Sequence, residues 1–210
     1  MSDLNSLTAS ELGDLIGKGE IDPVELTEYF ISQIDLSPIG KKIYSTVTSQ
    51  LALKQAKDSK ARAKLGRRLS SLDGVPISWK DLFDIKGYPC EAGSDLLAGR
   101  LANKKAKVYN FAEAHGLICL GKTHMSELAF SGLGLNPVKE TPPCINYPEA
   151  VPGGSSSGAA TSVAFGLAAA GIGSDTGGSV RIPAAWNDLV GLKTTTGKLS
   201  LDGVVPLCSR

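Results

Sequence analysis

Two serines and one lysine have the residue types and surroundings of a nucleophilic site. Ser155 and Ser179 each lie in a glycine-rich turn at the predicted start of a helix, where free backbone amides could face a developing oxyanion. Lys80 is the remaining candidate for a base, because the chain has only two histidines, His115 and His124. A Ser-Lys site needs the lysine in its neutral form, which burial favours. A lysine after a strand is more commonly a solvated charge, so the residue types alone leave both interpretations open.

Two other segments match catalytic motifs in their letters but not in their context. Residues 116–123 (GLICLGKT) fit the phosphate-binding pattern G-x-x-x-x-G-K-[ST]. Such a loop must follow a strand, whereas here the apolar residues inside the motif are themselves the predicted strand and a helix precedes them. We therefore predict that Gly116 caps a helix and that residues 121–123 follow the end of a strand. Residues 154–158 (GSSSG) fit the nucleophile elbow around Ser156, but that fold needs its histidine after the serine, and both histidines precede it.

Three longer segments together resemble the amidase signature family. They are residues 74–81 (GVPISWKD), 152–158 (PGGSSSG) and 173–184 (GSDTGGSVRIPA). The resemblance extends to residues 191–193 (GLK), to residues 121–123 and to the N-terminal helices, so it covers essentially the whole chain. It implies a mixed β-sheet flanked by helices. The short strands and helices that alternate in the second part of the chain favour the same α/β class.

The resemblance implies a Ser-cisSer-Lys triad. Ser179 matches the nucleophile, Ser155 the bridging serine whose peptide bond is cis in the family, and Lys80 the general base. Ser155 would relay a proton between Lys80 and Ser179, and attack on an amide would give an acyl-enzyme, then a carboxylic acid and ammonia or an amine. The oxyanion would face the backbone N–H groups of Thr176, Gly177, Gly178 and Ser179.

Several polar residues near the triad are interpreted as structural rather than reactive. Asp175 and Arg181 flank the nucleophile turn and could be substrate ligands, but the resemblance implies that they hold the turn by a buried charge or by hydrogen bonds. Ser156 and Ser157 are expected to tie down the neighbouring turn. His124 stands where relatives often have Asn, and we expect it to be a hydrogen-bonded structural residue.

The chain is shorter than the proteins it resembles. Family members typically run to more than twice its length and continue beyond Arg210, so we expect a sheet that is incomplete at the C-terminus and a substrate pocket that is mostly absent. We expect one domain over residues 1–210, with a helical lead-in over 1–70 and a catalytic segment over 71–210. An incomplete core would expose apolar surface, which predicts a homo-oligomer or a partner chain that covers it.

The resemblance leaves three functions open. The first is an amidase that hydrolyses a small-molecule carboxylic amide. The second is the A subunit of a glutamyl-tRNA(Gln) or aspartyl-tRNA(Asn) amidotransferase, which shares the triad but passes ammonia to a partner protein. The third is a non-catalytic remnant of an amidase. Residues 79–84 (WKDLFD) resemble general amidases more than the amidotransferase, so we rank the three in this order.

Local signals predict the elements that carry these residues. Residues 8–11 (TASE) fit a capping box and Gly19 a stop for a first helix, while Asp22 and Pro23 begin a second. Hydrophobic spacing predicts further helices over residues 49–65, around 108–114 and over 159–170, a loop over 132–154, and strands over 75–79, 117–120 and 171–173.

Composition excludes several classes of partner. The 210 residues are 42% hydrophobic and 20% charged, so the chain can bury a sizeable core. With 22 Lys+Arg, 21 Asp+Glu and no basic block, no direct contact with nucleic acid is expected. The sequence shows neither a signal pattern nor an apolar stretch of bilayer length, so we expect a cytoplasmic protein away from membranes. The four dispersed cysteines are expected to be reduced thiols, and no cofactor or metal ion is expected.

Overall fold

The computed structural model describes residues 4–208, and this range contains seven α-helices and one four-stranded sheet. The helices are α1 (Ala9–Lys18), α2 (Pro23–Leu36), α3 (Gly40–Ile43), α4 (Ser49–Lys64), α5 (Lys107–Ala114), α6 (Ser157–Ala164) and α7 (Arg181–Trp186). The strands are β1 (Tyr44–Val47), β2 (Pro76–Lys80), β3 (Ile118–Thr123) and β4 (Ala170–Ile172), and they lie in the order β1-β3-β2-β4.

The first two helices begin at the residues that the sequence predicts, and the first also ends where predicted. Thr8 and Glu11 form a reciprocal capping box at α1, and Gly19 ends that helix in the left-handed conformation. The Asp22 side chain caps α2, and Pro23 occupies its first turn. These local predictions are confirmed because each cap is decided by a few adjacent residues. The buried faces of the two helices contribute Leu12, Ile16, Leu26, Phe30 and Ile34 to the core.

Strand β2 occupies the centre of the sheet and positions Lys80. It runs parallel to β3 on one side and to β4 on the other, while β1 pairs antiparallel with β3. All five residues of β2 are buried, as expected for a strand covered on both faces. Lys80 is its last residue, opposite Thr123 of β3. The carboxyl ends of parallel strands are where open α/β sheets commonly bind ligands.

Alternation along β2 separates a packing face from a polar face. Trp79 contacts Phe83 and Tyr109, with ring centroids 5.5 and 5.1 Å apart respectively. Ser78 and Lys80 point to the opposite face, where the Ser78 hydroxyl lies 2.7 Å from the hydroxyl of Ser162 on α6. Lys80 therefore faces the chain segment that leads into α6, and the packed ring of Trp79 fixes the strand beside it.

Two sequence predictions about element boundaries are wrong. The helix expected over residues 159–170 ends at Ala164, and Ala170 already belongs to β4. The chain turns through Gly166 at a φ of 66°, and Gly171 allows β4 to pack against α6, since a Cβ there would lie 2.4 Å from the carbonyl oxygen of Ala159. Residues 121–123, expected to follow the end of a strand, are part of β3 and are buried, because they pair with β2 on one side and β1 on the other.

The buried carboxylate of Asp73 ties α4 to the turn before β2 and gives a first testable prediction. It accepts hydrogen bonds from Arg62 Nε (2.8 Å), Arg62 Nη2 (2.7 Å) and the Leu69 N–H (2.9 Å). Asp73→Ala would leave these donors unpaired, so we expect the free energy of unfolding to fall by about 3 kcal/mol in urea denaturation. The matched control is Asp58→Ala, which breaks the exposed Lys54–Asp58 pair and should change it by less than about 0.5 kcal/mol. Equal losses in the two variants would contradict this account.

Candidate active site

The Lys80 amine is buried and lies between two serine hydroxyls. Its Nζ is 2.6 Å from Ser155 Oγ and 2.8 Å from Ser174 Oγ, and the residue has no exposed surface. Burial lowers the pKa of Lys80 to about 7, against a partial opposing effect from the charge of Asp175. A large fraction of this amine is therefore neutral near neutral pH, which is the state that a lysine base requires.

Ser155 is held by the backbone of the turn that precedes α6. The Gly154–Ser155 peptide bond is cis, as the resemblance implies for this position. The Ser126 N–H donates to the Ser155 carbonyl oxygen at 3.1 Å, and the Gly154 N–H donates to the Gly132 carbonyl oxygen at 2.8 Å. These bonds anchor the turn to residues 126–132, so the buried Ser155 hydroxyl faces the end of β2.

The turn that contains Ser179 is organised by the carboxylate of Asp175. Asp175 accepts from the backbone N–H groups of Gly178 (2.7 Å), Val180 (3.2 Å) and Arg181 (3.3 Å). It also accepts from Arg181 Nε at 2.9 Å and Nη2 at 3.0 Å. The Arg181 guanidinium and these amides hold the pKa of Asp175 far below its usual range. The expected structural role of Asp175 and Arg181 is confirmed.

This arrangement corrects the predicted set of oxyanion donors. The Gly178 N–H already donates to Asp175 Oδ1 at 2.7 Å, so it is not free to meet an oxyanion. In the described part of the chain, the N–H groups of Thr176, Gly177 and Ser179 have no acceptor. Three of the four predicted donors therefore remain candidates, and the fourth stabilises the turn.

Ser156 links the two serine turns, whereas Ser157 does not. The Ser156 N–H donates to the Ser179 carbonyl oxygen at 3.1 Å. Its hydroxyl donates to the Ser174 carbonyl oxygen at 3.2 Å and accepts from the Ser174 N–H at 3.3 Å. The Ser157 hydroxyl is buried without a hydrogen-bond partner among residues 4–208, so the prediction that it ties down the turn is wrong.

A small cavity joins the residues of the two turns. It measures about 110 Å³ and is lined mostly by apolar residues. Ser155, Ser174, Thr176 and Ser179 line it together with Leu82, Ala129, Leu201, Val204, Val205, Pro206 and Leu207. Its volume is below the range of roughly 300–1,000 Å³ that is common for small-molecule sites. An apolar cavity of about 290 Å³ lies between α6, β4 and α7, but its lining has no titratable side chain, so we do not place the chemistry there.

The remaining candidates from the sequence lie outside this cavity. Lys122 is fully buried, but its Nζ pairs with Asp81 Oδ1 at 2.8 Å and with the Pro89 carbonyl oxygen at 3.0 Å, which agrees with the rejection of a phosphate-binding loop. The buried His124 is fixed by its backbone, whose N–H donates to the Ile43 carbonyl oxygen at 2.9 Å, and burial lowers the pKa of its ring. His115 is exposed.

Ser174 is the residue that sequence reasoning missed. It stands within the segment that carries the resemblance, yet the resemblance assigns roles only to its neighbours. The available signal was its position two residues after Ile172, the last residue of β4. Because β4 and β2 are parallel neighbours, residues just beyond their carboxyl ends meet at the same edge of the sheet.

Residues 4–208 contain neither a metal-binding cluster nor a membrane-spanning helix. No group of three or more His, Cys, Asp or Glu residues in this range is placed to hold a metal ion. No helix in the same range has the length and apolar character needed to cross a membrane. Cys90, Cys119 and Cys144 are buried and Cys208 is exposed, and no disulfide joins any of them within residues 4–208.

Comparison with known proteins identifies the family. The model of the Amidase family matches residues 25–210. The A subunit of the glutamyl-tRNA(Gln) amidotransferase of Anaeromyxobacter dehalogenans (strain 2CP-C) is 40% identical over 209 residues, which are 99% of this chain and 42% of that protein. Its counterpart in Acinetobacter baylyi is 37% identical over 217 residues, again 42% of its length. The chain belongs to the amidase family.

Solved structures agree with this assignment. Native peptide amidase from Stenotrophomonas maltophilia superposes with a TM-score of 0.88 at 31% identity, covering 96% of this chain and 42% of that one. A fatty acid amide hydrolase superposes with a TM-score of 0.87 at 27% identity, and the match covers 96% of this chain and 36% of that one. The predicted α/β class with a mixed sheet is confirmed. The chain spans less than half the length of these relatives.

Proposed function

We propose that this chain hydrolyses a carboxylic amide through an acyl-enzyme on Ser179. The observation that carries the proposal is the buried Lys80 amine at 2.6 Å from Ser155 Oγ, in a turn that lines the same cavity as Ser179. A buried lysine with a pKa near 7 and a serine partner has the properties of a general base. Ser179 lines the same cavity on a turn where the N–H groups of Thr176, Gly177 and Ser179 are free, whereas the Ser155 hydroxyl is bonded to Lys80.

In the proposed acylation, Ser179 Oγ adds to the amide carbonyl carbon. Its proton passes to Ser155 Oγ while the proton of Ser155 passes to Lys80 Nζ. The oxyanion accepts hydrogen bonds from the N–H groups of Thr176, Gly177 and Ser179. Lys80 then returns a proton through Ser155 to the departing nitrogen as the carbon–nitrogen bond breaks. Water adds to the ester by the same route, giving a carboxylate and releasing Ser179.

A second candidate function is favoured by the names of the relatives that match nearly the whole chain. These relatives are called A subunits of glutamyl-tRNA(Gln) amidotransferase and are 36–40% identical. In that role the same chemistry would release ammonia for transfer rather than as a product. Ammonia release from glutamine that exceeds release from aryl and alkyl amides would favour this candidate, and the opposite order would favour a general amidase.

Covalent labelling tests the nucleophile before the substrate is known. We expect a fluorophosphonate to add to the purified chain once, as read by intact mass, because the phosphorus centre needs only an activated serine. The adduct should disappear completely in Ser179→Ala. Ser32→Ala, which removes an exposed hydroxyl on α2, is the matched control and should retain the adduct. Folded wild-type chain that takes up no label would contradict the proposal and favour a non-catalytic remnant.

A further inference from the structure

Ser174 makes a direct contact with the proposed base that no step of the acylation scheme uses. Among residues 4–208, the hydrogen-bond partners of Lys80 Nζ are the hydroxyls of Ser155 and Ser174. Ser174 follows β4, whereas Ser155 precedes α6, so the two hydroxyls approach the amine from different elements. The amine is fully buried, so bulk water does not compete for it.

The state of the amine assigns different roles to these two contacts. A neutral amine has two N–H donors and one lone pair. To take the proton of Ser155, the lone pair of Lys80 must point at Ser155 Oγ. An N–H of the same amine then points at Ser174 Oγ, which accepts it at 2.8 Å. Without this second acceptor, rotation about the Cε–Nζ bond would be free to turn an N–H toward Ser155.

We propose that Ser174 is a positioning residue whose hydroxyl orients the Lys80 amine toward Ser155. This inference rests on the proposed function, because it assigns Ser174 to the reaction that Lys80 and Ser179 would perform. Ser174 acts through Lys80. Ser174 borders the cavity, but no transfer of its own proton is required.

The backbone of Ser174 is held firmly enough for this task. The Ser156 hydroxyl donates to its carbonyl oxygen at 3.2 Å and accepts from its N–H at 3.3 Å. Gly173 makes this close approach possible, since a Cβ at that position would lie 2.6 Å from Ser156 Oγ. On the other side, Asp175 is fixed by Arg181 and by the amides of the nucleophile turn.

The carboxylates near the Lys80 amine are each paired with another cation, so the hydrogen-bond partners of the amine are neutral hydroxyls. Asp175, on the same segment as Ser174, favours the charged form of Lys80, and its own charge is balanced by Arg181. Asp81, the residue after β2, is balanced by Lys122 of β3. The hydroxyl of Ser174 accepts a hydrogen bond from Nζ without adding a charge to the site.

Titration of Lys80 in the full chain tests the contact directly. The probe is the ¹³Cε signal of labelled lysine, assigned by its absence from Lys80→Met. In Ser174→Ala the ammonium form loses an acceptor, so the pKa of Lys80 should fall by about one unit. Ser174→Thr keeps the hydroxyl and should restore the wild-type titration. A thermal unfolding midpoint close to wild type would show that each variant is folded.

The rate of fluorophosphonate labelling is the second readout. It should fall by about tenfold in Ser174→Ala and return to near the wild-type rate in Ser174→Thr. Wild-type titration and labelling in Ser174→Ala would overturn the inference while leaving the proposed function intact. Equal defects in the alanine and threonine variants would also overturn it. Wild-type chain without labelling would instead overturn the proposed function, and the titration alone would then decide whether Ser174 holds the amine.

Discussion

Replacing Lys80 with methionine is expected to slow the labelling of Ser179 by about a thousandfold, the middle of the range for loss of a general base. Methionine has a similar length and fits a buried site, so it removes the amine but leaves no large cavity. The pair of nitrogen-to-oxygen contacts at 2.6 and 2.8 Å would vanish together. Pseudo-first-order labelling rates, measured by intact mass over time, give the comparison.

Lys122 supplies a matched control for this substitution. It is also fully buried and lies on the adjacent strand β3, but it is paired with Asp81. Lys122→Met should lower the free energy of unfolding by about 3 kcal/mol, because it leaves Asp81 buried without its ion pair. Lys80→Met should leave stability unchanged or raised at pH 7, because it removes a buried amine that has no carboxylate partner. Rapid labelling of folded Lys80→Met would remove Lys80 from the mechanism.

The stability of the wild-type chain is expected to rise with pH above neutrality. The pKa of Lys80 is about 7 in the folded chain and 10.5 in a model peptide. Between these values the unfolded chain holds a proton that the folded chain lacks, so the free energy of unfolding increases by about 1.4 kcal/mol per pH unit. Below pH 7 the amine is protonated in both states and this gain is absent.

Buried thiols oppose this increase in the free energy of unfolding at higher pH, so they limit the pH range in which it can be measured. Burial raises the pKa of Cys90 and Cys119 from 9.0 to about 11. Above about pH 9 the unfolded chain therefore loses protons that the folded chain keeps, which lowers stability. Urea denaturation of wild type and Lys80→Met at pH 7.5 and 9 isolates the lysine. The wild type should gain about 2 kcal/mol relative to the variant over this interval. Parallel curves for the two proteins would contradict a neutral Lys80.

The sequence predicted best those features that adjacent residues decide. The Thr8 capping box, the Gly19 stop and the Asp22 cap of α2 depend on side chains within one helical turn, and all are confirmed. The structural role of Asp175 and Arg181 was implied by the family resemblance, and the structure adds that the two side chains bond to each other. The family could be assigned because three separate segments of the chain each resemble it.

Features decided by distant parts of the chain were missed. The end of α6 depends on Gly166 and on the close packing of β4 at Gly171, and a run of small residues fits a helix or a strand equally well. The hydrogen bond from the Gly178 N–H to Asp175 could not be predicted, because it depends on the backbone conformation of the turn. The contact of Ser174 with Lys80 joins positions 94 residues apart, and only the parallel pairing of β2 with β4 brings them together.

The position of β2 between two parallel neighbours has a consequence for how the site opens. Lys80 ends a fully buried strand that is paired along both edges, whereas Ser174 and Ser179 follow β4, a three-residue strand that pairs only with β2 in the described part of the chain. Local opening is therefore expected to cost less at residues 170–180 than at β2, and amide hydrogens there should exchange with solvent before those of β2. On heating, we therefore expect Ser174 and Ser179 to separate from Lys80 before the sheet unfolds, so fluorophosphonate labelling should be lost at a lower temperature than cooperative unfolding. Labelling would thus report the order of one short segment rather than the integrity of the whole fold.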